Sequence, residues 1–169
     1  MPELLILRHA KSDWSTGEAD FERPLNDRGK RDATRMGKWL GDEGLLPDFL
    51  VSSPAKRARK TALKVARAMD FAEANIHWDA SIYEATVAQL LGVLRRCPSS
   101  ARRVLLIGHN PGLEQLLASL CPEVSTPPDG KLLPTATLAQ LRFSDDWTTL
   151  RASVGIVQRI VRPRDLAED

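Results

Sequence analysis

Two apolar runs, Leu4-Leu5-Ile6-Leu7 and Val104-Leu105-Leu106-Ile107, constrain this chain more than any other feature. Neither alternates with polar residues. A strand with one wet face alternates, so a short unbroken run bounded by turn residues reads as a strand buried on both faces, the mark of a parallel sheet covered by helices. Each run ends at a histidine. Arg8-His9 come after the first and Gly108-His109 after the second, and the chain holds three histidines in all. In open α/β sheets ligands bind beyond the carboxyl ends of the strands. Both histidines are therefore expected in one crevice, although far apart in sequence. One strand-end histidine is commonly a packed core residue; two, one with an adjacent arginine, point to function.

The rest of the chain fits an alternation of strands and helices. Residues 11–25 are polar and read as a loop. Asn26 offers an N-cap to a helix on which Ala33, Met36, Trp39 and Leu40 recur at helical spacing until Gly41 and Gly44. Phe49-Leu50-Val51 reads as a second strand, and Pro54 opens a helix carrying Ala58, Ala62, Val65, Ala66 and Met69 on its apolar face. Residues 75–78 form a weaker strand and 86–96 a third helix. After the strand 104–107, Asn110 caps a helix from Pro111 to Leu120. The proline-rich stretch 122–134 is loop-like, and the runs 136–143 and 148–154 pair as a hairpin around residues 144–147. The expectation is an α/β fold: a single three-layer domain over residues 1–162, its mostly parallel sheet covered by helices on both faces, with a polar, frayed tail at 163–169.

At 169 residues, with 43% hydrophobic and 27% charged residues, the composition suits one soluble globular domain. The net charge of +2 demands neither a nucleic-acid nor a membrane partner. No apolar stretch reaches the ~20 residues of a membrane span. The first strand begins at once and leaves no room for a signal peptide. Cys97 and Cys121, each before a proline, lack metal spacing and read as reduced thiols. A cytoplasmic monomer is expected.

Between the two histidine segments lies SSPAKRARKT (52–61), which places Arg57 and Arg59 in the first turns of a helix just past a strand. A guanidinium there adds a planar fork of donors to backbone amides that already favour an anion. Arg8, Arg57, His9 and His109 at one sheet edge make a pocket for a tetrahedral dianion such as phosphate. The ordered segments LLILRHAKS, RPLNDRG (23–29), SSPAKRARKT, SIYEA (81–85) and VLLIGHNPG resemble the histidine phosphatase superfamily, and within it the short, SixA-type branch of phosphohistidine phosphatases. The resemblance runs from about residue 3 to 120 and implies the phosphoglycerate mutase-like fold. It makes His9 the nucleophile, Arg8 and Arg57 the phosphate-binding arginines, and His109 the second pocket histidine. Ala10 stands where the superfamily usually has glycine, and Ser15 where phosphoglycerate mutases carry a phosphate-binding asparagine. The long insertions that cover the site in the mutases are missing, which implies an open, shallow site.

The chemistry fits covalent phosphoryl transfer, in which catalysis is mostly positioning plus positive donors. A histidine nucleophile must present a neutral nitrogen; neighbouring guanidinium charges push its pKa down, and a backbone carbonyl on its other nitrogen fixes the tautomer. Glu84 is the candidate proton donor, needed by an alkoxide leaving group and dispensable for imidazole. Lys11 and Arg23, flanking the motifs, line the rim with Ser15. No cofactor is expected, and an arginine beside His9 opposes a metal held by His9, His109 and a carboxylate. The expected reaction is metal-independent hydrolysis of protein phosphohistidine through a phosphorylated His9. The alternatives are a phosphatase for small phosphate esters and a non-catalytic phosphate-binding module. The basic run 56–60 lacks aromatics and reads as a solvated helix face rather than a nucleic-acid patch, and His77 reads as structural.

Overall fold

The structure, a computed structural model, describes residues 1–166. Six strands, β1 (Glu3–Arg8), β2 (Phe49–Ser52), β3 (Ile76–Trp78), β4 (Arg103–Gly108), β5 (Leu138–Phe143) and β6 (Gly155–Val161), form one sheet in the order β3-β2-β4-β1-β5-β6. The first four strands in that order pair in parallel, while β5 and β6 run antiparallel. The helices are α1 (Asp27–Asp42), α2 (Lys56–Ala68), α3 (Val87–Arg95) and α4 (Gly112–Leu120). The expected α/β architecture is therefore the observed one, with an antiparallel edge.

The unbroken apolar runs are explained by two cores, one on each side of the sheet. Leu4, Ile6, Val104 and Leu106 face the core under α3 and α4, whereas Leu5, Leu7, Leu105 and Ile107 face the core under α1 and α2. All eight are fully buried, and each Leu or Ile side chain so buried contributes about 1.5–3 kcal/mol. Asn26 caps α1 as expected, its side chain accepting from Gly29 N at 2.8 Å. Gly29 is there for space: a Cβ on it would fall 2.1 Å from the Lys11 carbonyl oxygen, so α1 presses directly on the loop after β1.

Several boundaries differ from the sequence expectation. Helix α2 starts at Lys56 rather than Pro54, with Ala55 at the cap and Ser53 Oγ accepting from Ala55 N. Asn110 does not cap α4. Pro111 holds that position, and the Asn110 amide instead donates to Glu114 Oε1 and the Leu133 carbonyl, both at 2.8 Å. The run 148–154 is not a strand; β5 pairs with 155–161. The cause is Trp147, whose buried indole donates to the Ala101 carbonyl at 2.7 Å and pins a short turn, Trp147–Thr149, capped by Asp146. In the expected frayed tail, Pro163–Asp165 form a turn and Leu166 packs on the core; residues 167–169 lie outside the described residues. Cys97 and Cys121 are buried free thiols, and no helix among the described residues is long and apolar enough to cross a membrane.

Candidate active site

Three parallel strands, β1, β4 and β2, end side by side at Arg8, Gly108 and Ser52. The segments leaving the three strand ends converge on one spot. The His9 and His109 rings lie 5.2 Å apart, and Tyr83 meets His109 edge-on at 5.4 Å. Arg57, in the first turn of α2, faces them with its side chain almost wholly buried. The sequence-predicted quartet of Arg8, His9, Arg57 and His109 is thus brought together.

The backbone fixes His9. Its amide donates to the Gly108 carbonyl at 3.0 Å, and its own carbonyl accepts from Ala136 N. Its Nδ1 lies 2.8 Å from the Ala10 carbonyl. A carbonyl only accepts, so Nδ1 carries the proton and Nε2 is left with its lone pair. Burial holds the His9 pKa well below 6.5, opposed by the Ala10 bond and reinforced by His109, Arg8 and Arg57. The direction matches the sequence argument, but desolvation rather than guanidinium charge is the larger cause. His109 is pushed down to about 4, again by burial first and Arg57 second. Its Nε2 is 2.8 Å from Ser53 Oγ.

Four of the buried polar atoms without partners lie here. Arg8 Nε, Arg57 Nε, His109 Nδ1 and Asn110 Oδ1 are all buried and unbonded. A buried donor left unpaired costs about 1–3 kcal/mol; the Nε groups of Arg8 and Arg57 are such donors, and His109 Nδ1 is one when Ser53 bonds its Nε2, so together they mark a place shaped for an anion. Burial lowers the Arg8 pKa, with Glu114 opposing; Arg8 Nη1 is held by the Leu133 carbonyl at 3.2 Å. A cavity of about 310 Å³ opens on the His109 side of the site, lined by Asp20, Arg57, Tyr83, Glu84, His109 and Asn110 among others, with His9 and Arg8 behind its wall.

The remaining predicted residues are spread out. Glu84 lines the cavity, exposed, with a left-handed backbone (φ +55°). Arg23 is buried, its Nε donating to Ser12 Oγ and its Nη1 bonded to Asp20 at 2.6 Å, while its guanidinium stacks 3.6 Å over the Trp14 ring. Ser15 is turned away: exposed, its hydroxyl donates to Asp13 at 2.6 Å. Lys11 is half-buried and ties in through its backbone, its carbonyl accepting from Asn26 N. His77 stacks on Phe49 at 4.4 Å, away from the site.

Sequence reasoning missed three residues. Asp20, in a short turn of the 11–25 loop, accepts from Arg57, Arg23 and Tyr83. Those bonds, Tyr83 foremost, hold its carboxyl below the usual range, and the same contact raises Tyr83 to about 12. The spacing of Asp20 three residues before Arg23 was the available signal. Thr61, one turn beyond Arg57, accepts from Ala10 N at 2.9 Å and donates to the Arg57 carbonyl at 2.7 Å, clamping the loop after His9 to α2. Gly112 lets the 108–112 turn approach, since a Cβ there would sit 2.7 Å from the Ala85 carbonyl oxygen. Among the described residues no group of three His, Cys, Asp or Glu side chains is placed to hold a metal ion.

The model of the histidine phosphatase superfamily (branch 1) matches residues 4–90. An uncharacterised chloroplastic protein of Arabidopsis thaliana is 32% identical over 69% of this chain; the match spans 58% of that longer protein. An uncharacterised Mycobacterium tuberculosis protein is 30% identical over 83% of this chain and 89% of its own length. Among solved structures, the protein histidine phosphatase SixA complexed with tungstate shares the fold, with a TM-score of 0.82 at 20% identity over 96% of this chain and 98% of that one. A protein assigned as the phosphohistidine phosphatase SixA of Agrobacterium tumefaciens is 28% identical, with a TM-score of 0.76 over 96% of this chain and 99% of the other.

Proposed function

The chain belongs to the histidine phosphatase superfamily, and on that premise we propose that it is a metal-independent phosphatase that hydrolyses protein phosphohistidine through a phosphorylated His9. The observation that carries this reading is the Nδ1 contact of His9 with the Ala10 carbonyl, which leaves Nε2 with its lone pair on a ring that feels the charges of Arg8 and Arg57. Support also comes from the SixA likeness in fold.

In the first step His9 Nε2 attacks phosphorus and the bond from phosphorus to the substrate's imidazole nitrogen breaks. One P–N bond replaces another, so the step is close to balanced. The departing imidazole takes a proton or leaves already protonated. Arg8 and Arg57 hold the equatorial oxygens, and His109 Nδ1 supplies a further donor when Ser53 bonds its Nε2. Water then attacks phosphorus, phosphate leaves and neutral His9 is restored. Residues 1–162 form the catalytic unit.

Incubation with a radiolabelled phosphodonor tests this reading. Acid-labile, alkali-stable label on His9, absent in His9→Ala and formed equally in EDTA, is the expected result. Activity abolished by EDTA and restored by a divalent metal would overturn it. A second reading, a phosphatase for small phosphate esters, is favoured by Glu84, which lines the cavity beside His109 where a leaving alkoxide would need a proton.

A further inference from the structure

The charge of this molecule is balanced as a whole but not in its distribution. Elsewhere on the surface arginines meet carboxylates: Arg67 with Glu73, Arg96 with Asp79, Arg103 with Glu3, Arg162 with Asp129. Where α1 and α2 pack together, positive charge accumulates instead. Lys56, Lys60 and Lys64 recur every four residues on α2, and none of them is ion-paired among the described residues. Together with Lys30 they line a concave recess of about 530 Å³ closed at one end by Asp13, Pro24 and Leu25. A second recess of about 400 Å³ continues it, sharing Lys30 and Lys64 and adding Arg31, Thr34 and Arg35. Lys30 approaches Asp27 only at 3.9 Å, and the Arg35–Asp32 pair is stretched to 4.0 Å. Like charges gathered on one face, with Lys56, Lys60 and Lys64 unpaired, repel one another and destabilise the compact state. The arrangement gains when an anionic chain lies along it.

We propose that this groove docks an acidic polypeptide segment of the protein whose phosphohistidine is hydrolysed. The proposal deepens the functional reading above and rests on it for the identity of the partner. Lys56 to Lys64 span about 12 Å at the helical rise, matched by about four residues of extended peptide. Lys56 and Lys64 are half-buried, so their stems lie along the wall and their ammonium groups reach the groove. The groove also adjoins the catalytic site. Arg57 is the next residue after Lys56, and the wall residues Asp13 and Pro24 belong to the loop that carries Asp20 and Arg23 to the other side. A chain held in the groove is thereby anchored beside the phosphoryl pocket. No aromatic side chain lines either recess, so bases have nothing to stack on, and the concave shape with no exposed large apolar side chain in its lining offers no wedge to a lipid surface.

The test uses a fluorescein-labelled ten-residue peptide of Asp and Glu, free of phosphate, followed by anisotropy. Wild type binds it with a steep salt dependence. Lys60→Gln/Lys64→Gln weakens binding at least tenfold, Lys60→Arg/Lys64→Arg retains it, and all three hydrolyse a chromogenic aryl phosphate at the same kcat/KM. With phosphohistidine peptides, acidic flanks lower KM about tenfold relative to neutral flanks, and the double Gln variant loses that difference while keeping kcat. Unchanged acidic-peptide binding in the Gln variant overturns the proposal. So does tighter lysine-dependent binding of oligothymidylate or phosphatidylserine vesicles than of the acidic peptide. If the acidic peptide binds through these lysines but phosphohistidine peptides are not turned over, the groove stands and the substrate reading falls.

Discussion

Asp20 engages Arg57 twice, its carboxylate 3.0 Å from Nη2 and its backbone carbonyl 2.6 Å from Nη1. Both terminal nitrogens of the guanidinium that faces His9 and His109 are thus occupied by oxygens of one residue. Each terminal nitrogen keeps a second N–H and Nε is unpaired, so a phosphoryl group can bind the same guanidinium with the Asp20 carboxylate as its like-charged neighbour. The Asp20 carboxylate is therefore a negative charge held against the guanidinium an incoming anion would bind, and it stays ionised because Tyr83, Arg57 and Arg23 all donate to it.

Removing that competing charge should tighten anion binding. Asp20→Asn keeps the shape and removes one negative charge next to the anion site. Orthovanadate should then inhibit about tenfold more tightly, equivalent to ~1.4 kcal/mol of relieved repulsion. The inhibition constant measured at fixed salt checks it. Weaker inhibition would instead assign Asp20 the task of aiming Arg57.

The histidines predict a pH dependence of stability with a definite sign. His9 lies well below 6.5 and His109 at about 4 in the folded chain, while both titrate near 6.5 when unfolded. Below pH 6.5 the unfolded state takes up protons that the folded state refuses, so stability falls as pH falls. For His109 the loss begins near pH 6.5, ends near pH 4 and amounts to at most roughly 3 kcal/mol. Urea midpoints at pH 7, 5.5 and 4.5 should decline, and His109→Gln should flatten the decline. Equal slopes for the two proteins would contradict the assignment.

Thr61 positions the nucleophile without touching the reacting atoms. Thr61→Val preserves shape but leaves the buried Ala10 amide without its acceptor and removes the hydroxyl bond to the Arg57 carbonyl. The unpaired amide costs about 1–3 kcal/mol, which lowers Tm by roughly 2–10 °C for a chain of this size. Because Ala10 also holds His9 Nδ1, kcat should fall about tenfold with little change in KM, since a slight misplacement of a reacting atom is costly. Thr61→Ser should restore both. A drop in Tm with kcat intact would confine Thr61 to folding.

How much of this was legible in sequence depends on the range of the interactions. β1 and β4 were legible because burial on both faces leaves its mark in four consecutive apolar residues. β6 was not: as an edge strand it keeps Ile156 exposed and carries Gln158 and Arg159, so it looks no more strand-like than 148–154, and Trp147's bond to Ala101 decides the matter from 46 residues away. The same holds at the site. His9, His109 and Arg57 lie just past strands and could be placed by topology. Asp20 could not, because Arg57 and Tyr83 are 37 and 63 residues distant, and its one local partner, Arg23, signals an ion pair without saying where it lies.

Glu84 combines a strained backbone with a place in the cavity wall, and the two separate by substitution. Its φ of +55° lies in the left-handed region, where a residue with a Cβ is disfavoured and glycine is not. Glu84→Gly should therefore raise stability by up to about 1 kcal/mol, or roughly 2–4 °C in Tm. The same change removes the carboxyl that lines the cavity beside His109. An alkyl phosphate, whose alkoxide leaves poorly without a proton, should lose at least tenfold in kcat; a phosphohistidine peptide, whose imidazole departs readily, should keep its rate. Glu84→Gln should reproduce the selective loss of rate with no gain in Tm, because it keeps the Cβ and the strain. A stabilised Glu84→Gly that hydrolyses both substrates at wild-type rates would show that Glu84 transfers no proton, and that its conformation only closes the turn into α3.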